Sequence, residues 1–305
     1  ARLALVVTVS GSISMLAGFF WLAMETGQWT FSGLLAQSHA LHAQTWLQGC
    51  TALILIGALA KSAQFPFSSW LPAAMHAPTP VSAFLHSAAL PAAGVFLLAR
   101  FYPVLHTTAA WWWLLVVPAS LGALYSGFFA FRQEKMKPML AYSTIGHFAF
   151  MFLAFGMATH SSVKATLYAF FVHAFIKAGL FLTAGSVTHA TGSKELARIG
   201  GLFKPFRVFA VLSIILGLAL AGAPALGAFY YEEEYLKAAS HAGRWAVYAV
   251  FWIGGVLSVL YMARFLVEIF PGPQKPQQLQ ATLPAAMVWP IGIIAAGVCL
   301  TAFIP

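Results

Sequence analysis

The stretch "ALAKSAQFPFSSW", residues 58–70, decides the fold. Lys61 follows the apolar run "TALILIGALA" (51–60) and precedes two phenylalanines, Pro66 and a tryptophan. The Pro66 ring denies the carbonyl of Ser62 its helical hydrogen bond. Freed carbonyls beside a buried ammonium can hold water or receive its protons. Broken backbone at membrane depth is tolerated only against protein or a wet cavity. The stretch therefore predicts a membrane helix interrupted at an ionisable group.

The rest of the chain agrees. Of its 305 residues 61% are hydrophobic and only 8% charged, where soluble domains carry roughly 25% charged residues; mean hydropathy is +0.83. Apolar runs at 3–24, 46–67, 81–101, 111–131, 138–157, 163–187, 206–223, 245–270 and 283–304 each approach the ~20 residues of a spanning helix. No strand-type alternation runs through them, and a bilayer admits only helices or closed barrels. The expected fold is all-α, a polytopic transmembrane helical bundle of about nine spans with broken helices, forming one domain over 1–305. The first run is too long for a signal-peptide core and has no convincing cleavage site after it. With no initiator Met, the chain is expected to be part of a longer protein, with helices missing before it and more after it.

The net charge of +9 suggests nucleic acid until its distribution is read. With nine alternating spans, Arg132, Lys135, Lys137, Lys194, Arg198, Lys204, Arg207 and Lys275 fall on one side, and Arg100, Lys164, Lys237 and Arg244 on the other. That is the positive-inside asymmetry, which puts the first group in the cytoplasm. The charge sets topology and touches anionic lipid; no nucleic-acid partner is expected. Cys50 and Cys299 form no metal spacing and no disulfide framework.

Three basic residues fall well inside predicted spans: Lys61, Lys177 and Arg264. A charge at the bilayer centre costs at least ~2.5–3.5 kcal/mol, so each marks a candidate functional site. Arg264 lies near its span's end, within reach of headgroups, and Glu268 is one turn away. Lys177 sits mid-span, with His173 at i−4 on the same helix face. In "HAPTPVSAFLHSAALPAAG" (76–94), Thr79 reads as a helix N-cap with Pro80 in the first turn. His86 then stands one turn before a second helix-breaking proline, Pro91. Buried lysines, histidines and broken helices together suggest a proton wire, histidine titrating near pH ~6.5 and suiting the relay steps. There is no aspartate. In "FYYEEEYLKA" (229–238), after a break at Pro224, one of Glu232, Glu233 and Glu234 can reach the membrane interior; a solvated helix start suits the others. Haem ligation by His173 and His189 is rejected, because their separation exceeds a ligand repeat and His189 lies at the helix exit.

"KSAQFPFSSWLPAAMHAPTPVSAFLHSA" (61–88), "KMKPMLAYSTIGH" (135–147), "HAFIKAGLFLTAG" (173–185) and "THATGSKELARIGGL" (188–202) resemble the large antiporter-like subunit of Mrp-type multisubunit Na+/H+ antiporters and of respiratory complex I, NADH:quinone oxidoreductase. The last motif is more similar to the Mrp version. The resemblance implies two inverted repeats, each with a broken helix, and a midplane chain of buried lysines, histidines and one glutamate. By position, Lys61 resembles the lysine that pairs with the family's glutamate, and Lys177 the central lysine with His173 as its relay histidine. His86 matches a histidine between them. Glu232 aligns with the lysine usual in the second broken helix, where some related subunits use glutamate as a terminal proton site. Three further departures stand beside these matches. The pairing glutamate would precede residue 1, the histidine expected one turn before His173 is Ala169, and Ala92 replaces a lysine of many Mrp relatives.

The resemblance thus implies a subunit of the bacterial inner membrane that moves protons through Lys61, His86, His173, Lys177 and Glu232. It implies coupling to sodium export, partner membrane subunits, and no cofactor or metal of its own. Two alternatives stay open. One is a proton-pumping subunit of complex I or a membrane-bound hydrogenase, driven by chemistry elsewhere, since this chain shows no iron–sulfur cysteine pattern, flavin motif or P-loop. The other is a structural membrane subunit that has lost transport, for which Ala92, Ala169 and Glu232 argue.

Overall fold

The computed structural model describes residues 2–87, 89–273 and 281–303; Lys275 and Ile304, the last position of the ninth apolar run, lie outside them. A long helix, α1 (Arg2–Thr26), leads through short α2 (Phe31–Ala36) and α3 (Ser38–Leu41) to α4 (Leu47–Lys61). After a break come α5 (Trp70–Ala73), α6 (Thr79–Ser87) and α7 (Leu90–Leu105). Three long helices follow, α8 (Ala109–Arg132), α9 (Met136–Met157) and α10 (His160–Thr191). The described chain closes with α11 (Arg207–Leu220), α12 (Gly227–His241), α13 (Trp245–Ile269) and α14 (Ala285–Thr301). The protein is a polytopic bundle of apolar helices, and among the described residues the strand-type pairing is a single bridge between Lys135 and Glu195.

Each predicted run is found as helix. Among the described residues six segments are long and apolar enough to cross a membrane: α1, α6 with α7 (Thr79–Leu105), α8, α9, α10 and α13. The runs at 46–67, 206–223 and 283–304 hold the shorter apolar helices α4, α11 and α14. With 15 residues, α4 rises only about 22 Å, less than the ~30 Å hydrocarbon core. A helix of that length does not span the core by itself, in keeping with the break after Lys61.

The two breaks share one backbone geometry. At the end of α4, Ala63 is left-handed with φ of 51°; its N–H bonds Ala60 O, and that of Gln64 bonds Leu59 O. At the end of α11, Gly222 has φ of 70°, with the equivalent bonds Gly222 N to Ala219 O and Ala223 N to Leu218 O. Both are Schellman ends, which close a helix by satisfying its last carbonyls. The Ser62 carbonyl does lack a helical bond, but because α4 has already closed at Ala63 and not because of Pro66, and side chains fill the role given to water or the ammonium. Gln64 Nε2 donates to Ser62 O (3.0 Å) and to Ile145 O of α9 (3.3 Å). Trp70 Nε1 caps Ala60 O at 3.1 Å. The predicted cap also shifts by one: α6 begins at Thr79 itself, because the Pro78 carbonyl already accepts from Ser82 N.

Packing places α9 at the centre. From Met139 onward nearly every one of its residues is buried, α8 lies along it, and α10 touches α6, α9, α11, α12 and α14. Its C-terminal carbonyls are held by three side chains: Trp111 Nε1 on Phe155 O (2.8 Å), Arg244 on Met157 O (3.1 Å) and Tyr102 on Ala158 O (3.0 Å). The outer faces stay apolar, as for Leu5, Ile13, Phe84, Trp113 and Trp252, which suits lipid. Two basic loops meet at one end of the bundle, through Leu196 N on Glu134 O and Met136 N on Lys194 O. This agrees with the charge asymmetry.

Candidate functional site

Helix periodicity aims Ser143, Thr144 and His147 of α9 at the neighbouring helices, and all three are buried. Opposite them, Lys177 and His173 are one turn apart on α10, with relative exposures of 0% and 1%. The Lys177 ammonium donates to Ser143 Oγ and to Leu140 O, the latter at 3.4 Å. Ser143 and Thr144 hydroxyls also donate to Leu140 O, each at 2.9 Å. Because Thr144 spends its one proton there, His86 Nδ1–H is the donor in the 3.1 Å contact between His86 and Thr144 Oγ1. The His86 ring stacks on Phe181 of α10 at 4.4 Å. Through Thr144 and Leu140, then, α9 joins His86 of α6 to Lys177 of α10.

A third histidine belongs to this cluster that sequence reasoning passed over. His147 lies with its ring 5.4 Å from that of His173, and its Nε2 meets Tyr261 Oη of α13 at 3.2 Å. Tyr261 in turn donates to Ser258 Oγ at 3.1 Å. The available signal was spacing, since Ser143 and His147 are one helical turn apart within the quoted "KMKPMLAYSTIGH" motif. Tyr261 had none, being one aromatic among many in an apolar span. Several buried atoms here have no hydrogen-bond partner among the described residues: His86 Nε2, His147 Nδ1 and both nitrogens of His173. Each such group costs ~1–3 kcal/mol, and buried unsatisfied polar atoms call for a specific explanation such as a catalytic role or bridging water.

The remaining expected residues lie apart. Glu232 is on α12, with Oε1 buried and unpartnered. It lines a cavity of about 310 Å³ with Phe150, Gly222, Tyr235, Phe251 and Trp252. A Cβ on Gly222 would collide with Glu232 Oε2, so the glycine at the break lets the carboxylate lie against the backbone. Glu233 and Glu234 instead pair with Lys237 at 2.9 and 3.3 Å on the surface. Lys61 is half-buried at the end of α4; among the described residues no hydrogen bond or ion pair ties it to Lys177 or to the histidines. Arg264 bonds Glu268 at 2.6 Å and the Phe131 carbonyl at the end of α8. It clasps α13 to α8, and among the described residues no hydrogen bond or ion pair ties it to the cluster.

The fold and this buried set define a polytopic membrane protein with ionisable groups at its centre and at its helix breaks. A family model described as "NADH:quinone oxidoreductase/Mrp antiporter, TM" matches residues 1–258, and the chain belongs to that family. It is 36% identical to a probable K(+)/H(+) antiporter subunit of Rhizobium meliloti (strain 1021), over 91% of this chain and 29% of that protein. It is 31% identical to a Na(+)/H(+) antiporter subunit of Staphylococcus aureus (strain JH9), over 92% of this chain and 38% of that protein. Among solved structures, a chain in "Structure of Mrp complex from Dietzia sp. DQ12-45-1b" superposes with a TM-score of 0.88 at 31% identity, covering 98% of this chain and 33% of that one. The chain thus spans roughly a third of the length of these relatives.

Proposed function

We propose that this chain is the proton-conducting core of a multisubunit cation/proton antiporter in a bacterial inner membrane. Lys177 is the central proton carrier, His173 and His86 its relay partners, Glu232 a terminal site, and Lys61 an ionisable group at the first break. The single observation that carries this reading is the Lys177 ammonium, fully buried between α9 and α10 and held by neutral oxygens alone among the described residues. A group so placed can give up its proton without first breaking an ion pair. Sodium is the coupled cation by the sequence reading. Potassium is tested beside it because one relative's name specifies K+. Relatives named as subunits, and one solved within a complex, support partner membrane subunits.

The test is proton flux in proteoliposomes holding the full-length subunit with its partners, for wild type and Lys177→Ala, with sodium and potassium gradients in turn. Flux that requires Lys177 and responds to either cation supports the reading and identifies the ion. Flux that requires Lys177 but ignores both transfers it to a redox-driven relative. Flux unchanged in the variant overturns it.

A further inference from the structure

Ala169, one turn before His173, is buried and has no proton to exchange, so α10 offers His173 no second partner there. Helix α9 does. The His147 ring stands 5.4 Å from His173, close enough for one water to bridge two nitrogens. The group is shielded from bulk solvent: His147 and Tyr261 are each 2% exposed and Ser258 4%. Its Nδ1 is unpartnered while its Nε2 is engaged by Tyr261. An imidazole free at one nitrogen and hydrogen-bonded at the other can take a proton on the first and release one from the second. Tyr261 continues this arrangement, because its hydroxyl contacts both His147 and Ser258 and so accepts on one side and donates on the other. Helix α13, which carries Tyr261, packs on α12 and supplies Phe251 and Trp252 to the wall of the Glu232 cavity.

Resting on the proton-relay reading above, we infer that His147 and Tyr261 form a lateral arm that carries protons from the Lys177–His173 centre to Glu232. In one transfer His147 Nδ1 takes a proton from His173, and the Nε2 proton moves to the Tyr261 oxygen. The Tyr261 hydroxyl proton leaves at the same time for the Glu232 carboxylate, through Ser258 or cavity water. No charge stays on the tyrosine; resetting the wire takes rotation of the Tyr261 hydroxyl back towards Ser258 and reorientation of the His147 ring, left protonated on Nδ1, so that it again presents an N–H to Tyr261. The arm gives a role to two unpartnered imidazole nitrogens, His147 Nδ1 and the His173 nitrogen facing it, which packing alone does not.

The experiment uses the full-length subunit in its assembly, reconstituted as above, with His147→Gln, Tyr261→Phe, the double variant and Lys177→Ala, each checked for assembly and melting temperature. Tyr261→Phe removes one oxygen and keeps the ring, so it remains informative even where His147→Gln fails to assemble. Each single variant is expected to lower proton flux roughly 10²-fold, as loss of a positioned proton carrier does. The double variant should be no slower than the slower single, because both interrupt one wire. Wild-type flux in Tyr261→Phe, or losses that multiply in the double, overturns the arm. If Lys177→Ala is dead while Tyr261→Phe is normal, the arm fails and the central relay stands. If Lys177→Ala conducts normally, both fall.

Discussion

Replacing Lys177 by methionine separates a functional charge from a structural one. Methionine is unbranched, close to lysine in length and apolar, so it fills the slot between α9 and α10. The variant removes a charge whose placement at membrane depth costs ~2.5–3.5 kcal/mol. It also loses one strong hydrogen bond, to Ser143 Oγ, worth about 1.5–3 kcal/mol for a charged donor. The second, to Leu140 O, is long at 3.4 Å and adds little. Ser143 is not orphaned, since its hydroxyl still donates to Leu140 O at 2.9 Å. The balance predicts unchanged stability or a gain of up to about 2 kcal/mol, in line with apolar replacement of other buried charges. Lys177→Ala also leaves a cavity and should be about 2–5 kcal/mol less stable than Lys177→Met, as large-to-small core changes are. Both variants should lose proton flux. The assay is SDS-induced unfolding of the purified assembly alongside flux in proteoliposomes. A Lys177→Met protein destabilised by more than about 2 kcal/mol would show that the ammonium is a structural tie, and wild-type flux in it would refute the relay.

Three further outcomes follow from the geometry. Gly222→Ala forces a left-handed alanine, at about 1–2 kcal/mol, and drives its Cβ into Glu232. Carbodiimide labelling of Glu232 should change together with the loss of stability, and a variant altered in neither contradicts the placement. Arg264→Met frees the end of α8 from α13 and should lose about 1–3 kcal/mol with flux unaltered, measured in the same two assays. His106, just beyond α7, is held below the ordinary histidine range by burial and then by His42, while its own bond to Tyr102 O opposes this. The unfolded chain therefore binds the proton more readily, so stability is full above about pH 6.5 and declines as pH falls below it. His106→Asn should flatten the dependence of melting temperature on pH in that window, and an unaltered slope would count against the assignment.

What could be read from the sequence was what a single helix can announce. The break after Lys61 is written in Pro66, and the oddity of Lys177 in the apolar residues around it, so both were legible without neighbours. Glu232 was legible as one of three acids, but which of them turns inward depends on the rotation of α12 against α13. His147 was hidden because a lone histidine in a span has no meaning until another helix puts His173 and Tyr261 beside it. The Ser62 carbonyl was expected to meet water because the left-handed turn at Ala63 could not be foreseen. That turn swings the Gln64 amide back onto it. Lys61 kept its place at the break, yet distance from the cluster is a tertiary property that its local sequence does not encode.

The Lys177 contacts argue for exchange over storage, and one substitution tests that directly. The ammonium meets a hydroxyl and a carbonyl, neither of which carries charge. Ser143→Asp would set a carboxylate in the hydroxyl's position. At about 3 Å and an effective dielectric near 20, the pair attracts by about 5 kcal/mol. A proton held that much more tightly leaves roughly 10³–10⁴-fold more slowly. The variant should therefore assemble, keep its lysine and still fail to conduct, whereas Ser143→Ala, which leaves the Leu140 carbonyl in place, should slow conduction far less. If Ser143→Asp conducts as wild type does, the proton on Lys177 is not the one that moves. Fixed charge beside the lysine would then be tolerable, and the neutral contacts of α9 would reflect packing alone.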